Sequence, residues 1–129
     1  MSHIAEMETT IENPDRVLLR QAVELVAGQH EGGEIRTYYL DFDGDTHRVP
    51  LALATAKMYR GVGIVVKEKK LTFIGDGFGY RKLYAQVQQQ VIQSYISLAT
   101  MQALQALGYQ TTAEDGEEGR VVLTGVNYA

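Results

Sequence analysis

The amino-acid sequence predicts an α+β domain, a mostly antiparallel sheet with two helices packed on one face, in the order β-α-β-β-β-β-α-β-β. Three observations carry this. Two segments repeat apolar residues every three or four positions, short β-rich runs follow one another in pairs across turn residues, and a regular strand–helix alternation is missing. With 129 residues the chain fits one domain, residues 1–129, large enough to build its own core.

The elements follow in order. Ser2–Thr10 alternates loosely between apolar and polar residues and suits an opening strand. Asn13-Pro14-Asp15 signals a helix start, with Asn13 as the capping side chain, proline in the first turn and an acid near the positive end of the dipole. Val17, Leu18, Gln21, Leu25 and Val26 keep helical spacing, and Gly28 stops the helix. Ile35–Phe42 is rich in β-formers, Asp43-Gly44 marks a tight hairpin turn, and Thr46–Leu53 returns as a partner strand. Pro50, which donates no ladder hydrogen bond, places that strand at an edge or ends it. Gly61–Val66 and Lys70–Ile74 make the clearest hairpin, with Lys67, Glu68, Lys69 and Lys70 at its solvated tip. A long helix follows, with Tyr84, Val87, Val91, Tyr95, Leu98, Met101 and Leu104–Leu107 on its apolar stripe and Gly108 as its cap. Gln86, Gln88, Gln89 and Gln90 read as its surface. Tyr109–Ala113 and Arg120–Val126 form a last hairpin across the acidic turn Glu114–Gly119.

Composition excludes several function classes. The absence of cysteine removes disulfides, thiolate metal sites and cysteine nucleophiles, and it is what a reducing compartment permits. No signal pattern opens the chain and no run reaches the ~20 apolar residues of a membrane span, so the expectation is a soluble, cytoplasmic protein with no membrane partner. The net charge is −4, and the twelve basic residues are scattered rather than gathered into the face a nucleic acid would need.

Gly75-Asp76-Gly77-Phe78-Gly79 is the segment with the most chemical promise. It leaves a strand and enters a helix that begins with Arg81 and Lys82, a setting in which backbone N–H groups can cradle an anion. Its spacing matches neither nucleotide-binding fingerprint, and Asp76 would repel an anion. The favoured reading is a tight turn in which glycine supplies positive φ and Asp76 caps the helix. Ligand-binding candidates are therefore Asp76, Gly77, Gly79, Arg81 and Lys82, joined by Gln93 and Tyr95 on the long helix. Tyr95 needs a partner for its hydroxyl if buried, and its first expected role is to tie the helix to the sheet. Asp41-Phe42-Asp43-Gly44-Asp45 alternates acids as calcium loops do. Thr46 and Ala52, however, stand where such a loop needs glycine and a bidentate glutamate. His3, His30 and His47 lie on separate elements, so no metal site is expected. No motif presents Ser2, Ser94 or Ser97 as a nucleophile, no catalytic residue is assigned and no cofactor is implied.

Short motifs along nearly the whole chain carry a resemblance. They are Met1-Ser2-His3 before a strand, Asp76 closing the central hairpin, and Gln93-Ser94-Tyr95 on the long helix. The tail adds Leu107-Gly108-Tyr109, Glu114-Asp115-Gly116 and Arg120-Val121-Val122-Leu123. In these the chain resembles the uncharacterised reading-frame-35 family of chloroplasts and cyanobacteria. It departs from that pattern at Ser97 and Leu98, where relatives often carry tyrosine and histidine, and in having Tyr128 but no tryptophan near its end. The resemblance implies the fold and leaves the mechanism open. The function expected is a non-enzymatic accessory module that binds a protein partner or a second copy of itself. The alternative is a binder of a small anionic, nucleotide-like ligand at the Gly75–Gly79 loop.

Overall fold

A computed structural model describes residues 3–115 and 121–127, the last hairpin by its backbone alone. Its elements are β1 (Ile4–Glu12), α1 (Arg16–Gly28), β2 (Glu34–Leu40), β3 (Thr46–Thr55), β4 (Met58–Lys67), β5 (Lys70–Asp76), α2 (Arg81–Ala106), β6 (Tyr109–Asp115) and β7 (Val121–Asn127). The predicted order and class are those observed. Five strands form one antiparallel sheet in the order β1-β5-β4-β3-β2, and β6 pairs with β7 in a separate two-stranded sheet. Gly116–Arg120, and with them most of the predicted acidic turn, lie outside the described residues, as do Met1, Ser2, Tyr128 and Ala129.

Period-two alternation sets the core face. Leu51 and Leu53, Val62 and Ile64, and Leu71 and Phe73 point to the same side and meet Val23 and Val26 of α1 and Val87 and Val91 of α2. Both helices therefore cover one face of the sheet. The α1 start differs from the expected one: Asp15, not Asn13, is the N-cap, accepting from Val17 and Leu18 N–H at 2.9 and 3.1 Å, and Pro14 precedes the helix. Asn13 instead turns the chain, with φ 48° and its N–H on the Lys69 carbonyl at 2.6 Å. At the β4–β5 tip Glu68 and Lys69 both have positive φ, as a two-residue turn matched to strand twist requires. Lys67 of β4 reaches across β5 to Glu6 of the edge strand β1 at 2.8 Å, and Lys70 of β5 meets Glu8 of β1 at 3.1 Å.

Two expectations about surfaces fail. Gln88 and Gln90 are buried, Gln90 with a hydrogen bond to His30 at 2.6 Å beneath the α1–β2 loop, while Leu107 at the end of the helix is 74% exposed.

Pro50 gives the main departure. It sits neither at an edge nor at a strand end but inside β3, between β2 and β4. Three residues around it, Val49 to Leu51, stand against Thr37 alone, and the β3–β4 ladder goes no further than Ala52↔Gly63. A bulge is where a strand can hold proline, and it bends the strand. Beyond the bend the β2–β3 hairpin leaves the sheet plane and folds over the second face. There the Tyr39 ring lies against Gly63, and β2 touches β4 and β5 without pairing with either. This cover keeps Ala52, Ala54 and Thr72 out of water on the side away from the helices.

Candidate functional site

The bent hairpin delivers its tip to the end of the sheet where β5 finishes. The tip is a five-residue loop, Asp41 to Asp45, wider than the tight turn expected at Asp43-Gly44 after a strand reaching Phe42. It is closed by the Asp41 N–H on the Asp45 carbonyl and the Asp45 N–H on Asp41 Oδ1, both at 3.0 Å. Asp41 Oδ2 lies 2.9 Å from His47 Nε2, and the His47 ring stacks on Tyr39. The His47 hydrogen bond is the main reason the Asp41 carboxyl is held below its ordinary range.

Asp76 is the centre of this end. Its side chain is fully buried and gathers backbone N–H groups from three separate segments. Oδ2 accepts from His3 at 3.0 Å and Phe42 at 2.9 Å, and Oδ1 accepts from Phe78 at 3.1 Å. Burial pushes the carboxyl up, but these three N–H groups and the nearby Arg60 charge outweigh it, leaving Asp76 below its ordinary value. It does not cap α2. The N-cap is Tyr80, which offers no side-chain hydrogen bond, so the carboxylate predicted for that task holds the loops together instead.

Arg60 arrives by a second irregularity. Tyr59, Arg60 and Gly61 together oppose Ala54, and Gly61 takes φ +80°, a value that residue adopts without strain. The bulge turns Arg60 inward until only 5% of it is exposed. Its guanidinium donates to the Asp76 carbonyl at 3.3 Å and to the Phe78 carbonyl, and lies over the rings of Tyr80 at 4.4 Å and of Phe42 and Tyr59 at 5.5 Å. Tyr84 completes the floor by packing on Gly75 and Gly77, where a Cβ would approach its side chain to 2.8 and 3.0 Å. The buried hydroxyls of Tyr80 and Tyr84 have no hydrogen-bond partner among the described residues. Burial raises both phenols, and the Gln88 side chain opposes the Tyr84 shift without reaching hydrogen-bond geometry.

Above this buried layer lies an aromatic surface. Phe78 stacks on His3 at 4.6 Å and meets Phe42 edge to face at 5.0 Å. Phe42, Phe78 and Tyr59 are 48, 40 and 57% exposed, with the backbones of Phe42 and Phe78 held by Asp76 and the Tyr59 ring against Arg60.

Of the sequence candidates, Asp76, Gly77 and Gly79 belong to this end. Arg81 and Lys82 are exposed on the first turn of α2. Gln93 and Tyr95 lie roughly 16 to 20 Å further along that helix and take no part. Tyr95 accepts the Asp15 N–H at 2.9 Å, so it ties α2 to the start of α1 rather than to the sheet. Two amides of the glycine loop are already engaged, Phe78 N–H by Asp76 and Tyr80 N–H by the Gly77 carbonyl at 3.1 Å. The sequence reading missed Arg60, Phe42, Tyr59 and Phe78. The one local signal was glycine directly after arginine within a strand, a mark of a bulge.

Chemically the arrangement is a clamp. Three backbone N–H groups engage the Asp76 carboxylate, and the Arg60 guanidinium is spent on carbonyls and rings. Among the described residues no group of three or more histidines and acids could hold a metal ion, and no helix is long and apolar enough to cross a membrane. The chain matches no protein-family model, no curated protein and no solved structure.

Proposed function

We propose that the protein is a non-enzymatic accessory module, and that it binds a protein partner through the aromatic end of the sheet. The observation that carries this reading is the set of exposed rings, Phe42, Tyr59 and Phe78, gathered beside one buried guanidinium. Pre-fixed aromatic side chains lose little freedom on binding, and tyrosine, tryptophan and arginine dominate the energetic centres of interfaces. The absence of cysteine accords with a reducing compartment, and we place the module in the cytoplasm. Membership of the reading-frame-35 family belongs to the same proposal. The alternative, a small anionic ligand, draws support from the N-terminus of α2, which lacks a side-chain cap and carries exposed Arg81 and Lys82.

Photo-cross-linking tests the choice, with a photoreactive phenylalanine analogue placed at position 78 in the chain expressed in its own host. The expected result is a discrete adduct with one polypeptide that fades when Phe42 or Tyr59 is changed to Ala. Affinity for that polypeptide should fall by about thirtyfold in Phe78→Ala, as for a residue at the centre of an interface. Absence of an adduct, or adducts indifferent to both substitutions, overturns the reading. A bound small molecule lost in Arg81→Ala replaces it with the alternative.

A further inference from the structure

Where the β2–β3 hairpin folds away, the sheet is left open beside β4. Lys67 and Lys70 flank the two-residue turn and so form a hydrogen-bonded pair, which makes Val65↔Thr72 and Gly63↔Ile74 the next such pairs. The peptide groups of Ile64 and Val66 therefore face away from β5, that of Ile64 toward Leu51 at the end of the β3–β4 ladder and that of Val66 toward the place that β3 vacates beyond it. The first turns of α1 cover this opening. Between them Arg16, Leu19, Arg20, Leu51, Ile64 and Val66 line a cleft of about 160 Å³.

Its chemistry is specific. The walls are branched aliphatic side chains, and the charged groups at the cleft are both guanidinium. Arg20 meets Glu24 at 3.2 Å with both side chains more than half exposed, a pairing that water and salt weaken. Arg16 has no ion-pair partner among the described residues, in a chain whose net charge is −4.

We infer that this cleft binds a small apolar carboxylate, an aryl or branched acyl acid. The volume is close to that of a cavity able to take one benzene ring, roughly 150 Å³. The apolar body enters between Leu19 and Ile64, and the carboxylate is held by Arg16 with help from Arg20, in the bidentate manner guanidinium favours. The cleft centres roughly 17 Å along β4 from the Tyr59–Gly61 bulge, so its fate and that of the partner-binding reading are separable.

The test uses phenylacetate as the probe and the isotope-labelled full chain, followed by amide chemical shifts. Saturable shifts confined to the amides around Leu19, Ile64 and Val66 are expected, with affinity about tenfold weaker for phenylacetamide and about tenfold weaker in Arg16→Gln. Leu19→Phe, which fills the cleft without adding charge, should abolish the response while the rest of the spectrum persists. The inference is overturned if phenylacetate moves none of these amides up to about 10 mM. It is equally overturned if the neutral amide binds as well as the acid, or if only an extended peptide perturbs the edge of β4.

Discussion

Asp76→Asn keeps the shape and volume of the residue that joins three segments and removes its charge. In the best geometry the amide oxygen takes the Oδ2 position and still accepts from His3 and Phe42, which sets the amide NH₂ against the Phe78 N–H. One charge-assisted hydrogen bond is then lost, worth about 1.5–3 kcal/mol, and the other two weaken to neutral strength. The loss of the Arg60 attraction adds to this, so the expected destabilisation is about 2–4 kcal/mol, or roughly 6 to 16 °C in Tm for a chain of this length. The sign of the pH dependence follows from the lowered carboxyl. Its stabilisation is present above the unfolded-state value of about 3.9 and is lost as pH falls through the still lower folded-state value. Asparagine does not titrate, so the gap between the two proteins should be widest at neutral pH and narrow below about pH 4. Urea unfolding followed by circular dichroism at neutral and acid pH measures both quantities. A difference below about 0.5 kcal/mol at neutral pH, the range of an ordinary surface change, would refute the keystone role. A gap that stays constant into acid would refute the account of the charge.

Gly79→Ala meets open space around its new Cβ, but φ is +88°, so it should cost about 1–2 kcal/mol by backbone strain alone, read as a lower Tm. Tyr95→Phe removes the acceptor of the Asp15 N–H and should cost about 1 kcal/mol, with amide exchange faster at the first turn of α1 and unchanged around Asp76.

Much of the fold was legible because its signals are local. The two helices announce themselves by spacing, and the Glu68-Lys69 tip by two apolar runs flanking a charged turn. What escaped was decided by contacts between residues far apart in the chain. Gln88 and Gln90 carry no mark of burial in a polar run, yet the α1–β2 loop places His30 over one of them. Asn13 and Asp15 are both good capping residues in sequence, and the choice between them rests on the tie from Asn13 to the Lys69 carbonyl across the sheet.

The candidate site shows the same limit more sharply. Reading along the chain singled out the glycine loop and assigned Asp76 the nearest local task, capping the helix that follows. The carboxylate instead serves two segments at long sequence separation: residue 3 arrives through the β1–β5 pairing, and residue 42 could not reach it if β3 were a flat strand. Pro50 is the cause on one side, bending the hairpin so that Phe42 arrives. Gly61 is the cause on the other, turning Arg60 inward beneath the same rings. Each of these residues looks like a defect when read within its own strand. Paired across the sheet, the two bulges converge on one buried carboxylate, and the rings displayed above it exist as a surface because both strands are irregular.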